Sequence, residues 1–254
     1  MTVALAGWAF PRWVAHRGAG KLAPENTLAA FRVGASHGFR AFECDVKLSA
    51  DGVPFLLHDA TLERTTTGAG LAGAQTWSAL SQLDAGAWHS RAFAGEALPS
   101  LEAIARFCLA NGHALNIEIK PSPGAEAATG HAVAEVAAGL WSGAAMQPLL
   151  SSFQPDALAA ARAAAPSLPR ALLLDALHDG WFDQARALDC VAVVTHHKLA
   201  TGAVIEQLHS AGLRALCYTV NEPADVKRLL ALGVDGLITD AVERISPQVD
   251  ATRV

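Results

Sequence analysis

Short apolar runs alternate with segments of helical periodicity along almost the whole chain. Apolar runs bounded by turn residues predict strands, and apolar positions three or four residues apart predict helices. After a first strand that ends at His16 and Arg17, the predicted strands cover residues 41–48, 53–58, 114–120, 149–153, 170–174, 191–195, 213–220 and 236–239. The predicted helices begin at Asn26 or Thr27 and at Ser100, and then cover residues 126–140, 155–164, 181–188, 202–211 and 222–232, the last capped by Asn221.

The predicted strands are mostly apolar on both faces, which is typical of a parallel sheet that helices cover on both sides. About eight strand–helix alternations in 254 residues favour an α/β fold, a TIM (β/α)8 barrel with a small insertion after the second strand. An open doubly wound sheet is the alternative, but no Gly-x-Gly-x-x-Gly motif opens a helix. We expect one domain over residues 1–254.

The insertion covers about residues 59–99, where a barrel needs only a short connection. Its apolar residues indicate a small packed unit of loop and short helix: Trp77, Leu80, Leu83, Trp88 and Phe93. Because it follows a strand with candidate site residues, we expect it to cap the barrel mouth.

Composition excludes several classes of protein. A hydrophobic fraction of 52% with 17% charged residues indicates a large core, and a net charge of −5 without a basic run argues against nucleic-acid binding. Four scattered cysteines, Cys44, Cys108, Cys190 and Cys217, are typical of buried thiols in a reducing compartment. The apolar run at residues 4–10 has no preceding Lys or Arg and is too short for a membrane span. We therefore expect a cytoplasmic protein without stable membrane association.

The candidate chemistry begins with Glu43 and Asp45, which project from the same face of a predicted strand. Such a triplet alone indicates a solvated strand face, but the apolar residues around it indicate burial, and buried carboxylates need partners. Glu118 and Lys120 repeat the spacing, although alone they indicate a surface ion pair. Since functional residues of a TIM barrel lie at the carboxyl ends of its strands, the three carboxylates predict one site for Mg²⁺ or Ca²⁺.

Basic side chains follow the same strands. Arg17 and Lys120 offer positive charge to an anionic substrate, and His16 and His58 are suited to general acid–base catalysis. A phosphodiester matches this set, because its hydrolysis needs charge neutralisation and a proton moved at each end. The other histidines are interpreted as structural, with a contact between His196-His197 and the site left open.

The chain carries a series of motifs in a fixed order: His16-Arg17-Gly18, Pro24-Glu25-Asn26-Thr27, Glu43-x-Asp45-Val46, Asp51-Gly52-Val53-Pro54, His58-Asp59, Leu62-Glu63-Arg64-Thr65-Thr66, Glu118-Ile119-Lys120, Ser152-Phe153, Thr219-Val220-Asn221 and Gly233-Val234-Asp235-Gly236-Leu237-Ile238-Thr239-Asp240. This series resembles glycerophosphodiester phosphodiesterases, most of all their compact cytoplasmic bacterial members.

The resemblance implies a TIM barrel, Mg²⁺ or Ca²⁺ at the three carboxylates, and acid–base roles for His16 and His58. It implies release of glycerol 3-phosphate and an alcohol such as choline or ethanolamine, with the glycerol 2-hydroxyl of the substrate as nucleophile. Many relatives carry Trp where this chain has Tyr218. We expect Tyr218 and Phe153 to form an aromatic wall of the substrate site, ordinary barrel packing being the alternative.

Two other functions remain open. The same barrel can act on lysophospholipids, as a lysophospholipase D or a cyclising phosphodiesterase, if Trp77, Trp88 and Phe93 form an apolar patch at the mouth. A non-catalytic phosphoester-binding barrel would keep Arg17 and Lys120 but would need neither histidine. The favoured partner is a small glycerophosphodiester, and the sequence sets no oligomeric state.

Overall fold

The computed structural model describes residues 9–245 and 247 as a closed barrel of parallel strands. Around the barrel the strand order is β1-β9-β8-β7-β6-β5-β4-β2, and pairing of β1 with β2 closes it. The strands are β1 (Trp13–Ala15), β2 (Ala41–Leu48), β3 (Pro54–Leu56), β4 (Ala114–Ile119), β5 (Leu149–Ser152), β6 (Arg170–Leu174), β7 (Ala192–His196), β8 (Arg214–Tyr218) and β9 (Gly236–Thr239). Strand β3 lies outside the ring and pairs antiparallel with β2. The TIM barrel prediction is confirmed.

Helices alternate with the barrel strands. They are α1 (Leu28–Ser36), α2 (Trp77–Leu80), α3 (Leu101–Asn111), α4 (Glu126–Leu140), α5 (Pro155–Ala164), α6 (Trp181–Ala187), α7 (Gly202–Ser210) and α8 (Pro223–Ala231). Two predicted caps are confirmed, since Thr27 Oγ1 accepts from the Ala30 N–H and Ser100 Oγ accepts from the Ala103 N–H, both at 3.2 Å.

One predicted cap is wrong. Helix α8 begins at Pro223 with Glu222 as its N-cap residue, so Asn221 does not cap it. The Asn221 amide instead binds Asp240, accepting from the Asp240 N–H at 2.8 Å and donating to Asp240 Oδ2 at 3.1 Å. Asn221 and Asp240 both follow barrel strands, so a contact between two strand ends uses the side chain that the local sequence predicted as a helix cap.

The two faces of each barrel strand have different tasks. One apolar cluster draws its buried members only from the eight barrel strands and fills the barrel interior: Val14, Ala41, Ala114, Leu149, Ala171, Leu173, Ala192, Val194, Leu216 and Ile238. On the opposite face of β2, Phe42, Cys44 and Val46 pack in the cluster that includes α1 and α3. Because strand side chains alternate, the interior face of β2 continues from Ala41 to Glu43 and Asp45. The apolar interior of the barrel therefore supports the polar site at the carboxyl ends of the strands.

The insertion is a small packed unit, as predicted. It contains α2 and two turns of 3₁₀ helix, Ala72–Ala74 and Arg91–Phe93. Its own apolar cluster consists of Phe55, Leu57, Leu62, Ala72, Leu80, Ala85 and Leu98. Glu96 ties it to the start of α1 by accepting from the Ala29 N–H at 2.9 Å. Its first residues, Asp59 and Ala60, line the barrel mouth, and a wider capping role stays a prediction.

The sequence also predicted buried thiols, no membrane span, a single domain and a cytoplasmic location. All four cysteines are buried and free, and burial raises the pKa of the Cys108 thiol to about 12. Within residues 9–245 and 247, none of the helices combines the length and apolar character needed to cross a bilayer. Residues 4–8 of the N-terminal apolar run lie outside the described residues. The single domain and the cytoplasmic location stay predictions.

The loop between α2 and α3 depends on the carboxylate of Asp84. It accepts from the backbone N–H groups of Gly86 at 2.7 Å, Ala87 at 2.9 Å and Gly95 at 2.7 Å, and these bonds lower its pKa. A carboxylate with a lowered folded-state pKa stabilises the fold above its unfolded pKa, about 4, and loses that contribution as pH falls through the folded value. Asp84→Ala should therefore destabilise the protein near neutral pH, and the difference from wild type should shrink below about pH 4.

Urea unfolding of both proteins across this pH range measures the effect. Glu206→Ala, an exposed change on α7, is the control and should show little penalty at any pH. A penalty for Asp84→Ala that persists unchanged in acid would contradict the assignment.

Candidate active site

Three carboxylates meet at the barrel mouth. Glu43, Asp45 and Glu118 are buried, and each offers an oxygen within 4.8 Å of the others. The parallel register makes Asp45 and Glu118 neighbours across β2 and β4, while Glu43 lies two residues before Asp45 on the same face. Strand register thus brings together the cluster that the sequence predicted.

The loop after β1 holds two of these carboxylates in place. Asn26 donates to Asp45 Oδ2 at 2.9 Å and accepts from the Asp45 N–H at 3.1 Å, and the Arg17 N–H donates to Glu43 Oε2 at 3.0 Å. Arg17 and Asn26 both have positive φ, 51° and 59°, a conformation uncommon for side chains other than Gly. The Asn26 N–H bonds the Arg17 carbonyl at 3.0 Å, which ties the two residues to each other. The polar contacts that this loop makes with the buried strand β2 offset the unfavourable backbone conformation of the two residues.

Two cationic side chains approach the cluster. Arg17 Nε lies 3.2 Å from Asp45 Oδ2, and Lys120 Nζ lies 3.2 Å from Asp45 Oδ1 and 2.8 Å from Glu118 Oε1. Burial acts to raise the pKa of Asp45, but the charges of Arg17 and Lys120 lower it below its usual range. Burial and the charge of Asp45 raise the pKa of Glu43 to about 8, and they also raise the pKa of Glu118. The cluster therefore has more negative potential than its own cations neutralise.

The cluster fits a divalent cation. Glu43 Oε1 is buried and has no hydrogen-bond partner among the described residues, which is costly for a carboxylate oxygen. A set of three carboxylates provides the hard oxygen ligands that Mg²⁺ and Ca²⁺ prefer. A cation at this point would satisfy that oxygen and offset the excess negative charge.

Both predicted histidines lie at the mouth, and each bonds a carboxylate through Nδ1. His16 Nδ1 is 2.5 Å from Asp240 Oδ1, with Nε2 3.7 Å from Glu43 Oε2, and His58 Nδ1 is 2.7 Å from Asp59 Oδ1. A carboxylate on Nδ1 favours the tautomer that leaves Nε2 able to accept a proton.

The two histidines differ in their electrostatic surroundings. Burial acts to lower the pKa of His16, but the hydrogen bond to Asp240 and the charge of Glu43 raise it. Burial lowers the pKa of His58, although the charge of Asp45 opposes this change.

An ion-pair network joins the insertion to this site. Arg64 bonds Glu25 through two nitrogens at 2.7 and 2.8 Å, and it bonds Asp59 at 2.5 and 3.1 Å. Glu25 also accepts from Arg17 Nη1 at 2.9 Å. Arg64 therefore links the carboxylate that bonds His58 to the loop that carries Arg17.

A cavity of about 480 Å³ opens beside the carboxylates. Its lining includes His58, Glu118 and Lys120, together with Lys47 and Phe153. The Lys120 ammonium lies 5.8 Å from the centre of the Phe153 ring. The cavity thus combines charged side chains of both signs with one aromatic side.

Phe153 and Tyr218 contact each other, as the expected aromatic wall requires. Their ring centres are 5.7 Å apart with the planes at 84°. The Tyr218 hydroxyl donates to the Leu174 carbonyl at 3.3 Å, and His196 meets the same ring edge-on at 5.8 Å. His196 thus reaches the aromatic wall.

The remaining predicted structural histidines lie in ordinary settings. They are His37 at the end of α1, His89 on the Lys21 carbonyl, His113 between two Phe rings, His131 with Glu135, His178 on the Asp179 carbonyl and His209 with Asp235.

Sequence reasoning missed several side chains that complete the mouth. Lys47 is 2% exposed, donates to the Lys120 carbonyl at 3.1 Å, and burial lowers its pKa to about 8. Lys47 could have been predicted from the sequence as a site residue, because it lies two residues after Asp45 on the same strand face. Asp59 and Asp240 each follow a predicted strand. Arg64 lies in one of the motifs, but its role had no local signal, since its partners lie 5 and 39 residues away.

Known proteins resemble this chain in sequence and in fold. Residues 16–244 match the model of the glycerophosphoryl diester phosphodiesterase family. A putative glycerophosphodiester phosphodiesterase of Bacillus subtilis, YhdW, is 32% identical over 89% of this chain and 93% of its own length. A glycerophosphodiester phosphodiesterase of Caldanaerobacter subterraneus is 31% identical over 91% of this chain and 95% of its own.

Among solved structures, a phosphodiesterase of Oleispira antarctica in complex with the product sn-glycerol-3-phosphate superposes with a TM-score of 0.88 and 33% identity. The match covers 93% of this chain and 95% of that one. Fold and site together define a phosphodiesterase built on a TIM barrel. The chain belongs to the glycerophosphoryl diester phosphodiesterase family.

The fit to a divalent cation can be tested without turnover. Mg²⁺ or Ca²⁺ should raise the melting temperature of the wild type, because a ligand that binds only the folded state adds about 2.7 kcal/mol at one hundred times its Kd. Glu43→Gln and Asp45→Asn should lose most of this increment, because each removes a charged ligand.

Thermal unfolding with and without EDTA measures the increment. Glu135→Gln, which changes an exposed acid on α4, should keep it in full. An increment in Glu43→Gln equal to that of the wild type would show that the cation binds elsewhere.

Proposed function

We propose that this enzyme hydrolyses glycerophosphodiesters to glycerol 3-phosphate and an alcohol. In this proposal Glu43, Asp45 and Glu118 bind a divalent cation, and His16 and His58 are the acid–base pair. The observation that carries the proposal is the group of three buried carboxylates with ligand oxygens within 4.8 Å, beside two histidines whose Nδ1 atoms are held by carboxylates.

The similar proteins support this choice of substrate. The Bacillus and Caldanaerobacter relatives carry names for the same activity, and the Oleispira structure holds sn-glycerol-3-phosphate. In the cavity beside the carboxylates, Lys47 and Lys120 offer positive charge to a phosphodiester, which is an anion.

The residues have separate tasks. Arg17 and Lys120 bind the phosphate oxygens, and Phe153 and Tyr218 form a wall for the organic part of the substrate. A bound divalent cation supplies neutralisation of the negative charge on the phosphate.

Proton transfer falls to the histidines. One imidazole takes the proton of the glycerol 2-hydroxyl as its oxygen forms a bond to phosphorus, and the other gives a proton to the departing alcohol as the old P–O bond breaks. Water then opens the cyclic phosphate with the two roles reversed, which yields glycerol 3-phosphate. Asp240 and Asp59 hold each ring so that Nε2 is the atom that exchanges the proton.

The contacts of the insertion favour a water-soluble substrate over a lysophospholipid. Trp77 packs against Phe55 with ring centres 6.4 Å apart, and Phe93 packs against the cluster that contains α1 and α3. Trp88 is 41% exposed and its indole N–H donates to the Ala85 carbonyl at 2.9 Å. Two of the three aromatic residues are thus engaged in packing. The non-catalytic alternative is less favoured, because the acid–base pair and all three carboxylates are present.

The central test is turnover. Purified protein with Mg²⁺ should release glycerol 3-phosphate from glycerophosphocholine, EDTA should stop the reaction, and His16→Ala or His58→Ala should lower kcat by about 10²- to 10⁴-fold. An enzyme-coupled assay of glycerol 3-phosphate measures the rate. His131→Ala, an exposed change on α4, should leave it unchanged. Wild-type turnover in either site variant would remove that histidine from the mechanism.

We also expect Arg64 to position His58 through Asp59. Arg64→Ala should lower kcat by about 10- to 100-fold with little change in KM, because a misplaced catalytic group loses rate while substrate contacts remain. If Arg64 acts through Asp59, the effect of Arg64→Ala should be much smaller in the Asp59→Asn background.

The double-mutant cycle is measured by steady-state kinetics on glycerophosphocholine. Arg106→Ala breaks the exposed Arg106–Glu102 pair on α3 and is the matched control. Additive effects of the Arg64 and Asp59 changes would mean that Arg64 does not act through Asp59.

A further inference from the structure

A second cavity adjoins the first at Phe153 and Gln154, which line both. Its volume is about 410 Å³, and it lies at the carboxyl ends of β5 and β6, the next strands around the barrel from β4. The residues that line only this cavity include Leu174, Asp175 and Gln184. None of them is used in the reaction described above.

The two cavities differ in their charged groups. Lys47 and Lys120 line the first together with Asp59 and Glu118, whereas the second has the carboxylate of Asp175 and no lysine or arginine in its described lining. The Tyr218 hydroxyl bonds the carbonyl of Leu174, the residue before Asp175. Burial raises the pKa of the Tyr218 phenol, and the negative charges of Asp175 and Glu118 raise it further. The mouth therefore runs from a pocket that offers lysines to an anion, past an aromatic wall, to a pocket that offers a carboxylate to a cation.

We propose that the second cavity binds the alcohol half of the substrate and that Asp175 selects an alcohol with a cationic nitrogen. This inference rests on the proposed function. A glycerophosphodiester of an amino alcohol is a zwitterion, with a phosphate anion and a cation a few bonds apart. The phosphate faces Lys120 in the first cavity, and the cation faces Asp175 in the second.

The aromatic wall contributes to the same selection. A cation beside the rings of Phe153 and Tyr218 gains a favourable electrostatic interaction with their faces. Asp175 is exposed, so its charge is partly screened and its attraction to the cation is modest. An alcohol without charge gains neither term.

The test compares substrates that differ only in the alcohol. Wild type and Asp175→Asn are assayed on glycerophosphocholine and glycerophosphoethanolamine, which carry a cation, and on glycerophosphoglycerol, which does not. Asp175→Asn should lower kcat/KM for the two cationic substrates by about two- to five-fold. It should leave kcat/KM for glycerophosphoglycerol unchanged, which also shows that the variant is folded. Asp179→Asn, an exposed change in the same loop, should alter none of the three values.

The outcomes separate the two proposals. Equal loss on all three substrates, or no loss on any, overturns the assignment of Asp175 while the phosphodiesterase activity stands. A wild type that hydrolyses none of the three overturns the proposed function and this inference with it. A loss confined to the cationic pair supports both.

Discussion

The mouth of this barrel depends on how three buried carboxylates are neutralised. Glu43, Asp45 and Glu118 are close enough to repel one another in a region that excludes water, and Arg17 and Lys120 supply only part of the opposing charge. The loop after β1 bonds to β2, and Glu43 retains a raised pKa and an oxygen without a hydrogen-bond partner in the part of the chain that the structure describes. A divalent cation is the simplest way to complete such a site, and the rest of the proposed chemistry is arranged around it.

Strand geometry is what allows a charged site inside an apolar protein. On β2 the residues Phe42, Cys44 and Val46 pack toward helices, and the alternate residues run from the apolar floor at Ala41 up to the carboxylates. The same alternation places Lys47 at the cavity. One face of β2 thus packs in the apolar core, and the other face carries the candidate site residues.

Side chains around the three carboxylates orient the two histidines and, in our proposal, select the alcohol of the substrate. Asp240 and Asp59 bond the two histidines, and Arg64 connects Asp59 to the loop that carries Arg17. Farther around the mouth, Asp175 lines the second cavity beside Phe153. These contacts come from different segments of the chain, so the mouth is a joint product of loops that the barrel brings to one end.

The sequence by itself determined what depends on local periodicity and motif order: the alternating elements, the barrel, the family, and the shared face of Glu43 and Asp45. Strand alternation repeats every two residues and helix periodicity about every four, so a single stretch contains the information for one element. The order of the motifs is read directly along the chain. Only the tertiary structure decided which distant side chains meet. Asp240 bonds His16 across 224 positions, Asn221 bonds Asp240 instead of capping α8, and Phe153 lines two adjoining cavities. Strand register and loop packing set these contacts, and no local pattern encodes them.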